Sequence, residues 1–295
     1  MQFVRSDWIK QVGRPDFDAK LAVALRSNGY FILENAISDS VLAELKEAFS
    51  VLLDDYTAKN EANRGANRFN THLYLDGVFA NEELVANPII LPLLQRLLGV
   101  DLACSWAAAD TPLPGSDYQV VHPDGRPLFR GHGLSLPAYA IAVNVPLVDF
   151  TEENGPLEIW PYGSHLVPDI VPAAAVEGRD PVRVIMPAGS IMVRDTRLWH
   201  RGSPNRGNSP RPNLALVYNR SWYRFEGEAG HTPPAVSPEA YRGWSEDAQR
   251  IFRFATTDLS LTLSRREEMA MNVEALEEKL ADEHKSSLAP AAAVV

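Results

Sequence analysis

Two histidines and one aspartate are the residues of this chain whose types and spacing could do chemistry. His122 and Asp124 belong to a His-Pro-Asp triplet, and His200 lies much further along the chain. Because side chains alternate between the two faces of an extended segment, His122 and Asp124 can point to the same side. Two imidazoles and one carboxylate are the ligand set that holds non-haem Fe(II) and leaves coordination positions open. We therefore predict an iron site at His122, Asp124 and His200.

The segments that follow this triplet come in a recognisable order. After Asp124 come an Asn-Gly-Pro turn at 154–156, a Pro-Tyr-Gly-Ser-His segment at 161–165 and a Pro-Ala-Gly-Ser turn at 187–190. Trp199-His200 and then Pro210-Arg211-Pro212 complete the series. This order resembles that of the phytanoyl-CoA dioxygenase-like (PhyH) family of non-haem Fe(II)/2-oxoglutarate-dependent oxygenases. The resemblance is dense from about residue 118 to 218 and is absent after about residue 224.

The resemblance implies cosubstrate-binding roles for three more residues. Arg211 should bind the distal carboxylate of 2-oxoglutarate, because a guanidinium is a forked donor that matches a carboxylate. Gln119 matches a position that contacts the cosubstrate in the family. Asn144 stands alone in an apolar strand, where a buried amide needs partners. For Asn144 the alternatives are the cosubstrate, the substrate and packing against a neighbouring loop.

A substrate pocket is expected near the segments that carry the ligands. Aromatic residues that flank these segments are candidates for its walls, and the two glycines around His132 would let a substrate approach the backbone closely. The expected substrate-contacting residues are His72, Tyr118, Phe129, His132 and Trp222.

The reaction implied by the resemblance is the oxidation of a substrate C–H bond by O2, with 2-oxoglutarate converted to succinate and CO2. Asp124 favours hydroxylation over halogenation, since related halogenating enzymes have Gly or Ala at that position. Desaturation, cyclisation and demethylation remain alternatives. We expect the substrate to be a small or mid-sized biosynthetic intermediate, of the natural-product kind. Two other classes stay open: a metal-dependent cupin-like dioxygenase or isomerase without 2-oxoglutarate, and a non-catalytic barrel that binds a small molecule.

The bulk composition narrows the choice of partners and compartment. The chain has 295 residues, a formal charge of −10 and 45% hydrophobic residues, which is ordinary for a globular protein with a core. The acidic balance argues against nucleic acid or an anionic membrane as the main partner. A single cysteine, Cys104, excludes an intramolecular disulfide and fits a reducing cytoplasm. A small-molecule substrate is therefore the expected partner, and a homodimer stays compatible with the sequence.

The expected fold is mainly β with flanking helices, around a double-stranded β-helix (jelly-roll, cupin-like) core. We expect one oxygenase domain over residues 1–284, with a helical part at about 1–100, the core at about 101–224 and a C-terminal helical part at about 235–284. Periodicity predicts helices at 17–28, 39–57 and 88–99, a polar loop at 58–71, and a strand at 30–33. Strands are also expected at 139–148, 182–186, 190–193 and 213–218, and a disordered tail at 285–295.

Overall fold

The computed structural model describes residues 1–125, 128–129, 132–167, 175–223 and 233–257. The C-terminal helical part predicted at about 235–284 is described only as far as residue 257, and the tail predicted at 285–295 lies outside the described residues. None of the helices in the described ranges combines the length and apolar composition needed to cross a bilayer.

Helices dominate the first hundred residues, as the hydrophobic periodicity predicts. Gly29 ends the second helix at φ 79° with its N–H donating to the carbonyl of Leu25, a conformation that suits glycine. The helices predicted at 17–28, 39–57 and 88–99 are confirmed with small shifts at their ends. Within the described residues the helices are α1 Arg5–Trp8, α2 Pro15–Asn28, α3 Asp39–Lys59, α4 Glu82–Val85, α5 Leu91–Leu98, α6 Pro238–Gly243 and α7 Glu246–Ile251, with 3-10 turns at Gly77–Ala80 and Ser164–Leu166.

In the part of the chain that the structure describes, the strands form two sheets and a small two-stranded pairing. The large sheet has seven strands in the order β1-β2-β9-β6-β11-β5-β3, the second sheet has the order β10-β7-β8, and β12 pairs with β4. All five predicted strands are confirmed. The strands are β1 Gln2–Phe3, β2 Tyr30–Leu33, β3 Arg68–His72, β4 Tyr74–Leu75, β5 Ala103–Pro112, β6 Ala140–Pro146, β7 Leu157–Ile159, β8 Val182–Val184, β9 Ile191–Asp195, β10 His200–Gly202, β11 Asn213–Asn219 and β12 Ala235–Val236.

The predicted polar loop at 58–71 is wrong in its last part. Residues 68–72 form strand β3, which pairs antiparallel with β5 at the edge of the large sheet. Its alternate residues Arg68, Asn70 and His72 are polar, so the sequence shows no apolar alternation there. The pairing partner lies some forty residues away, and tertiary pairing overrides a weak local preference.

The two faces of the large sheet have different neighbours. One face packs on the helices and forms the main apolar core, which includes Leu214 and Leu216 of the central strand β11. The other face meets the second sheet, and Ile32 and Met192 join Ile159 and Val184 in a smaller core there. We call this second face the inner face. Because paired residues share a face, one row of it runs across six strands through Ile32, Met192, Asn144, Ala215, Ala108 and His72.

Candidate metal centre

Four backbone hydrogen bonds bring the His-Pro-Asp triplet to the segment that ends at His200. His122 and His200 exchange both of their N–H to carbonyl bonds, at 2.9 and 3.0 Å. The N–H groups of Asp124 and Gly125 both donate to the carbonyl of Thr196, at 2.8 Å each. A Cβ on Gly125 would lie 2.4 Å from the hydroxyl of Thr196, so a glycine is required at this crossing. The backbone therefore fixes the distance between ligand residues that are far apart in sequence.

The three predicted ligands present one donor atom each to a common point. Oδ1 of Asp124 lies 3.7 Å from Nε2 of His122 and 3.5 Å from Nε2 of His200, and the three ligand atoms all lie within 4.8 Å of one another. Two atoms bound to one metal at about 2.1 Å each must lie within about 4.2 Å of each other, which both carboxylate distances satisfy. His200 is buried, whereas His122 and Asp124 are partly exposed, so the point is open from one side.

Both imidazoles have the tautomer that a metal needs. Nδ1 of His122 lies 2.8 Å from the carbonyl oxygen of Val120, and Nδ1 of His200 lies 2.9 Å from that of Leu198. A carbonyl can only accept, so each Nδ1 carries the proton and each Nε2 keeps its lone pair for a cation. Burial, and then the neighbouring His200, lower the pKa of His122 to about 4, which keeps this ring neutral at physiological pH.

Asp124 is held by a buried arginine from the large sheet. Nη2 of Arg194 on β9 donates to Oδ2 of Asp124, and Nε of the same guanidinium donates to Oδ1 of Asn144 at 3.2 Å. Burial would raise the pKa of Asp124, but the charges of Arg194 and then His200 bring that pKa well below its usual range. The carboxylate is therefore ionised and ready to bind a cation. Asn144 thus faces the space between the sheets, and its carbonyl oxygen is already used by Arg194.

Arg211 lies in the same space between the sheets, next to a second arginine. It is 1% exposed, its guanidinium carbon lies 4.3 Å above the ring of Phe150, and its Nη2 lies 3.6 Å from Asp110. Nη1 of Arg68 donates to the same Asp110 at 2.9 Å. Two guanidinium groups thus share one carboxylate, which leaves one positive charge in excess. Burial, opposed by Asp110, lowers the pKa of Arg211 to about 10, so it stays charged at neutral pH.

Gln119 is attached to the strand that carries His200. The side-chain oxygen of Gln119 accepts from the backbone N–H of Gly202 at 2.9 Å, and the backbone N–H of Gln119 donates to the carbonyl of Gly202 at 3.0 Å. The guanidinium of Arg68 packs directly against Gly202, where an added Cβ would lie 2.5–2.7 Å from its atoms. Gly202 is therefore the point where Gln119, Arg68 and the His200 strand come together.

The residues predicted to line a substrate pocket lie in different places. His72 is on the inner face, and its ring stacks edge to face on Trp106 at 4.4 Å. Tyr118 packs instead under the guanidinium of Arg201, at 4.2 Å, and Arg201 leaves β10 on the face opposite to His200. Phe129, His132 and Trp222 are exposed at the surface.

The inner face is accessible on one half of the large sheet. Ala215 and Val217 lie in the middle of the central strand β11 and are only half-buried, while Leu214 and Leu216 between them are fully buried. On the β5 side, their directly paired neighbours are the small Ala108 and the half-buried Trp106. Accessible small residues in a central strand indicate an open space above them, between the sheets.

Sequence reasoning missed Arg194 and Arg68 as members of the site. Arg194 is the one charged residue in the run Ser190-Ile-Met-Val-Arg194, and a charge within an apolar strand was a signal that could have marked it. Arg68 gave no such signal, because it lies in a polar stretch that reads as a loop. Its place in the site depends on the pairing of β3 with β5.

Comparison with known proteins identifies a family. The family model for phytanoyl-CoA dioxygenase (PhyH) matches residues 25–213, which is more than half of the chain. The match begins inside α2 and ends at the first residue of β11. It therefore includes all three candidate iron ligands and Arg211.

Individual relatives agree with this match. Ectoine dioxygenase of Sphingopyxis alaskensis is 26% identical over 285 residues, which cover 81% of this chain and 87% of the relative. The crystal structure of EctD from S. alaskensis with bound Fe has a TM-score of 0.54 at 25% identity, over 70% of this chain and 78% of that one. The epimerase SnoN in complex with Fe3+, alpha-ketoglutarate and nogalamycin RO has a TM-score of 0.57 at 23% identity, over 74% and 90% of the two chains. At that identity the likeness to SnoN shows the shared fold.

Proposed function

This chain belongs to the phytanoyl-CoA dioxygenase (PhyH) family, and we propose from this premise that it hydroxylates a C–H bond of a small biosynthetic intermediate. It is an Fe(II)- and 2-oxoglutarate-dependent dioxygenase. Iron and 2-oxoglutarate, when bound, supply the activation of O2 for this oxidation, with release of succinate and CO2. The protein itself binds, orients and shields the reactants.

One observation carries the proposal. Two imidazole nitrogens and one carboxylate oxygen converge on a point, and each imidazole donates its other N–H to a backbone carbonyl. This is the donor set that suits Fe(II) with open positions. Asp124 as third donor, in place of a smaller residue, supports hydroxylation rather than halogenation.

The charges between the sheets support 2-oxoglutarate as cosubstrate. Arg211 is buried, keeps its charge and has an N–H group, Nε, without a partner among the described residues. A buried cation with an unused donor favours an anionic ligand. We assign the distal carboxylate of 2-oxoglutarate to Arg211, and we place Gln119 and Asn144 near its path towards the metal. The two facing sheets are interpreted as the two halves of a double-stranded β-helix.

We place the substrate over the accessible part of the inner face. Ala215 and Val217 would form the floor of this pocket, and His72 and Trp106 one wall. Arg68 is occupied by Asp110 and Arg194 by Asp124, while Arg211 is assigned to the cosubstrate. Because no free cation remains among these inner arginines, we propose a neutral, mid-sized substrate with apolar surface rather than a CoA thioester.

The experiment measures succinate formation from 2-oxoglutarate under O2, with and without Fe(II), in the presence of a library of candidate metabolites. The proposed function predicts iron-dependent succinate and a substrate product heavier by one oxygen. Oxygen consumption without succinate would instead indicate a metal-dependent enzyme that does not use 2-oxoglutarate. Failure of the purified protein to bind iron would overturn the proposal in favour of a non-catalytic binder.

A further inference from the structure

Arg194 is a buried cation in the middle of the large sheet. Its side chain is 8% exposed, and it leaves β9 on the inner face, directly opposite Ala142 and Tyr30 on the neighbouring strands. Nη1 of its guanidinium is buried and has no hydrogen-bond partner among the described residues. An apolar side chain of similar size would fill this place without an unpaired donor, and replacing a buried ion pair by apolar residues is often neutral or stabilising. A packing role alone therefore does not explain an arginine here.

The two carboxylate oxygens of Asp124 have different neighbours: Oδ2 is hydrogen-bonded to Arg194, and Oδ1 faces the two histidines. Nη2 of Arg194 takes Oδ2, while Oδ1 faces Nε2 of His122 and Nε2 of His200 at 3.7 and 3.5 Å. Asn144 accepts from Nε of the same guanidinium, so the planar fork is fixed at two edges. A carboxylate whose second oxygen is held in this way can offer a metal a single oxygen.

We propose that Arg194 is a positioning residue that restricts Asp124 to single-oxygen coordination and so keeps open the metal position that the cosubstrate needs. An octahedral ion with three protein ligands has three positions left, two for a chelating 2-oxo acid and one for O2. A carboxylate that bound through both oxygens would occupy one of these three. The inference rests on the proposed function, because it takes His122, Asp124 and His200 as iron ligands.

Loss of Arg194 should weaken the binding of 2-oxoglutarate but not the binding of Fe(II). Without Arg194, the backbone bonds that join His122 to His200 and Asp124 to Thr196 would still hold the three donor residues together, so Fe(II) should still bind. The freed Oδ2 of Asp124 would then be able to bind the metal and compete with the cosubstrate. A residue that merely braced the sheet would lower stability and affect both ligands alike.

The test compares Arg194→Met and Arg194→Lys with the wild type under anaerobic conditions. Methionine removes the fork and the charge at similar volume, whereas lysine keeps a charge that can still reach Oδ2. The matched control is Arg197→Lys: Arg197 is also mostly buried and pairs with Asp195, not with a candidate ligand. The first readout is Fe(II) affinity, and the second is the charge-transfer absorption that a chelated 2-oxo acid develops with Fe(II) as 2-oxoglutarate is added. Circular dichroism and Tm report folding.

We expect Arg194→Met to bind Fe(II) within a few-fold of the wild type but to need at least about tenfold more 2-oxoglutarate to develop the absorption, in the range seen when groups behind metal ligands are changed. Arg194→Lys should lie between the two, and Arg197→Lys should match the wild type in both readouts. Wild-type 2-oxoglutarate affinity in the Met variant would overturn the inference. If the Met variant does not fold, Arg194→Lys decides by the same criterion. Absence of the absorption in the wild type would instead refute the proposed function.

Discussion

Each candidate iron ligand has a single donor atom available before any metal arrives. The Nδ1 atoms of both histidines are bound to carbonyls of residues two positions earlier, and Oδ2 of Asp124 is bound to Arg194. Because these partners fix ring tautomer and carboxylate orientation, little conformational freedom remains to be lost on binding an ion. The site is therefore preorganised by backbone carbonyls and one arginine.

At the residue scale, His200→Ala tests the donor set. The variant keeps the backbone bonds between His122 and His200 but loses a nitrogen donor, so Fe(II) affinity should fall by a factor of at least ten while the fold is retained. Iron content after dialysis and circular dichroism measure the two effects. His132→Ala, at an exposed histidine, is the control and should retain its iron. Full iron content in the His200 variant would remove this residue from the ligand set.

Arg211→Lys tests the cosubstrate anchor. Lysine keeps the charge but loses the fork, and a bidentate charge-assisted pair contributes on the order of 2 kcal/mol, so the Kd for 2-oxoglutarate should rise roughly thirtyfold. Fe(II) affinity should not change, because Arg211 contacts Asp110 and Phe150 rather than the donor set. Arg206→Lys, at an exposed arginine, serves as control. An unchanged Kd for 2-oxoglutarate would mean that another residue, such as Arg68, holds the distal carboxylate.

At the scale of elements, the site depends on the side-chain contact by which Arg68 joins β3 to β10 and the residue after it. Arg68 of β3 reaches over Gly202 of β10, donates to the carbonyl of Ser203 at 2.9 Å and pairs with Asp110 of β5. This arrangement keeps Asp110 engaged, so that its charge does not fully neutralise Arg211. Any side chain at position 202 would displace the guanidinium of Arg68.

Gly202→Ala should therefore weaken the binding of 2-oxoglutarate and leave the affinity for Fe(II) unchanged. The added Cβ would meet the guanidinium of Arg68 at 2.5–2.7 Å, and the displaced arginine would leave Asp110 free to pair with Arg211. We expect the Kd for 2-oxoglutarate to rise by a factor of about ten, as for the loss of one charged hydrogen bond. Isothermal titration in the presence of Fe(II) measures it, and Gly243→Ala, with open space around its Cβ and no left-handed φ, controls for the loss of a glycine. Tight cosubstrate binding in the Gly202 variant would refute this coupling.

The elements also show which parts of the fold the sequence could predict. Helices α2, α3 and α5 can be predicted from the sequence because apolar residues recur with helical period, and glycines end α2 and α5. Strand β3 is not visible, since the inner-face residues of an edge strand are polar here and its partner β5 is distant. The short strands β7 and β10 also escape prediction, because β10, His200–Gly202, has no apolar residue and β7, Leu157–Ile159, directly follows the Asn-Gly-Pro turn.

The candidate site also has residues that the sequence could predict and residues that it could not. The His-Pro-Asp triplet, the distant His200 and Arg211 could be predicted, because donor type and order along the chain carry the information. The pairings of Arg194 with Asp124 and of Arg68 with Asp110 could not, since each joins residues from separate strands whose register the sequence does not specify. Tyr118 shows the converse: it is close to His122 in sequence, yet it packs on Arg201.

At the scale of the molecule, charge is distributed unevenly between surface and interior. The chain has a formal charge of −10. Between the sheets, however, the three buried arginines Arg68, Arg194 and Arg211 pair with only two carboxylates, those of Asp110 and Asp124. A dianion such as 2-oxoglutarate is repelled by the overall charge and attracted by this interior. Because exposed charges are screened by salt far more than buried ones, the local arginines decide the affinity.

The single cysteine offers a measure of cooperativity across the whole molecule. Cys104 lies on β5 on the face of the large sheet that packs on the helices, is 2% exposed, and burial raises the pKa of its thiol to about 12. Reaction with a thiol reagent at pH 8 therefore requires opening of the large sheet. We expect the native rate to be at least about a thousandfold below that of the chain unfolded in guanidinium, with Cys104→Ser as the blank.

The ligands of the metal centre should change the reactivity of Cys104 as well. Because β5 also carries Asp110 of the inner face, Fe(II) with 2-oxoglutarate should slow the reaction further. At a ligand concentration of about one hundred times Kd the added protection is about a hundredfold if opening destroys the site. Equal rates with and without ligands would show that β5 opens independently of the metal centre.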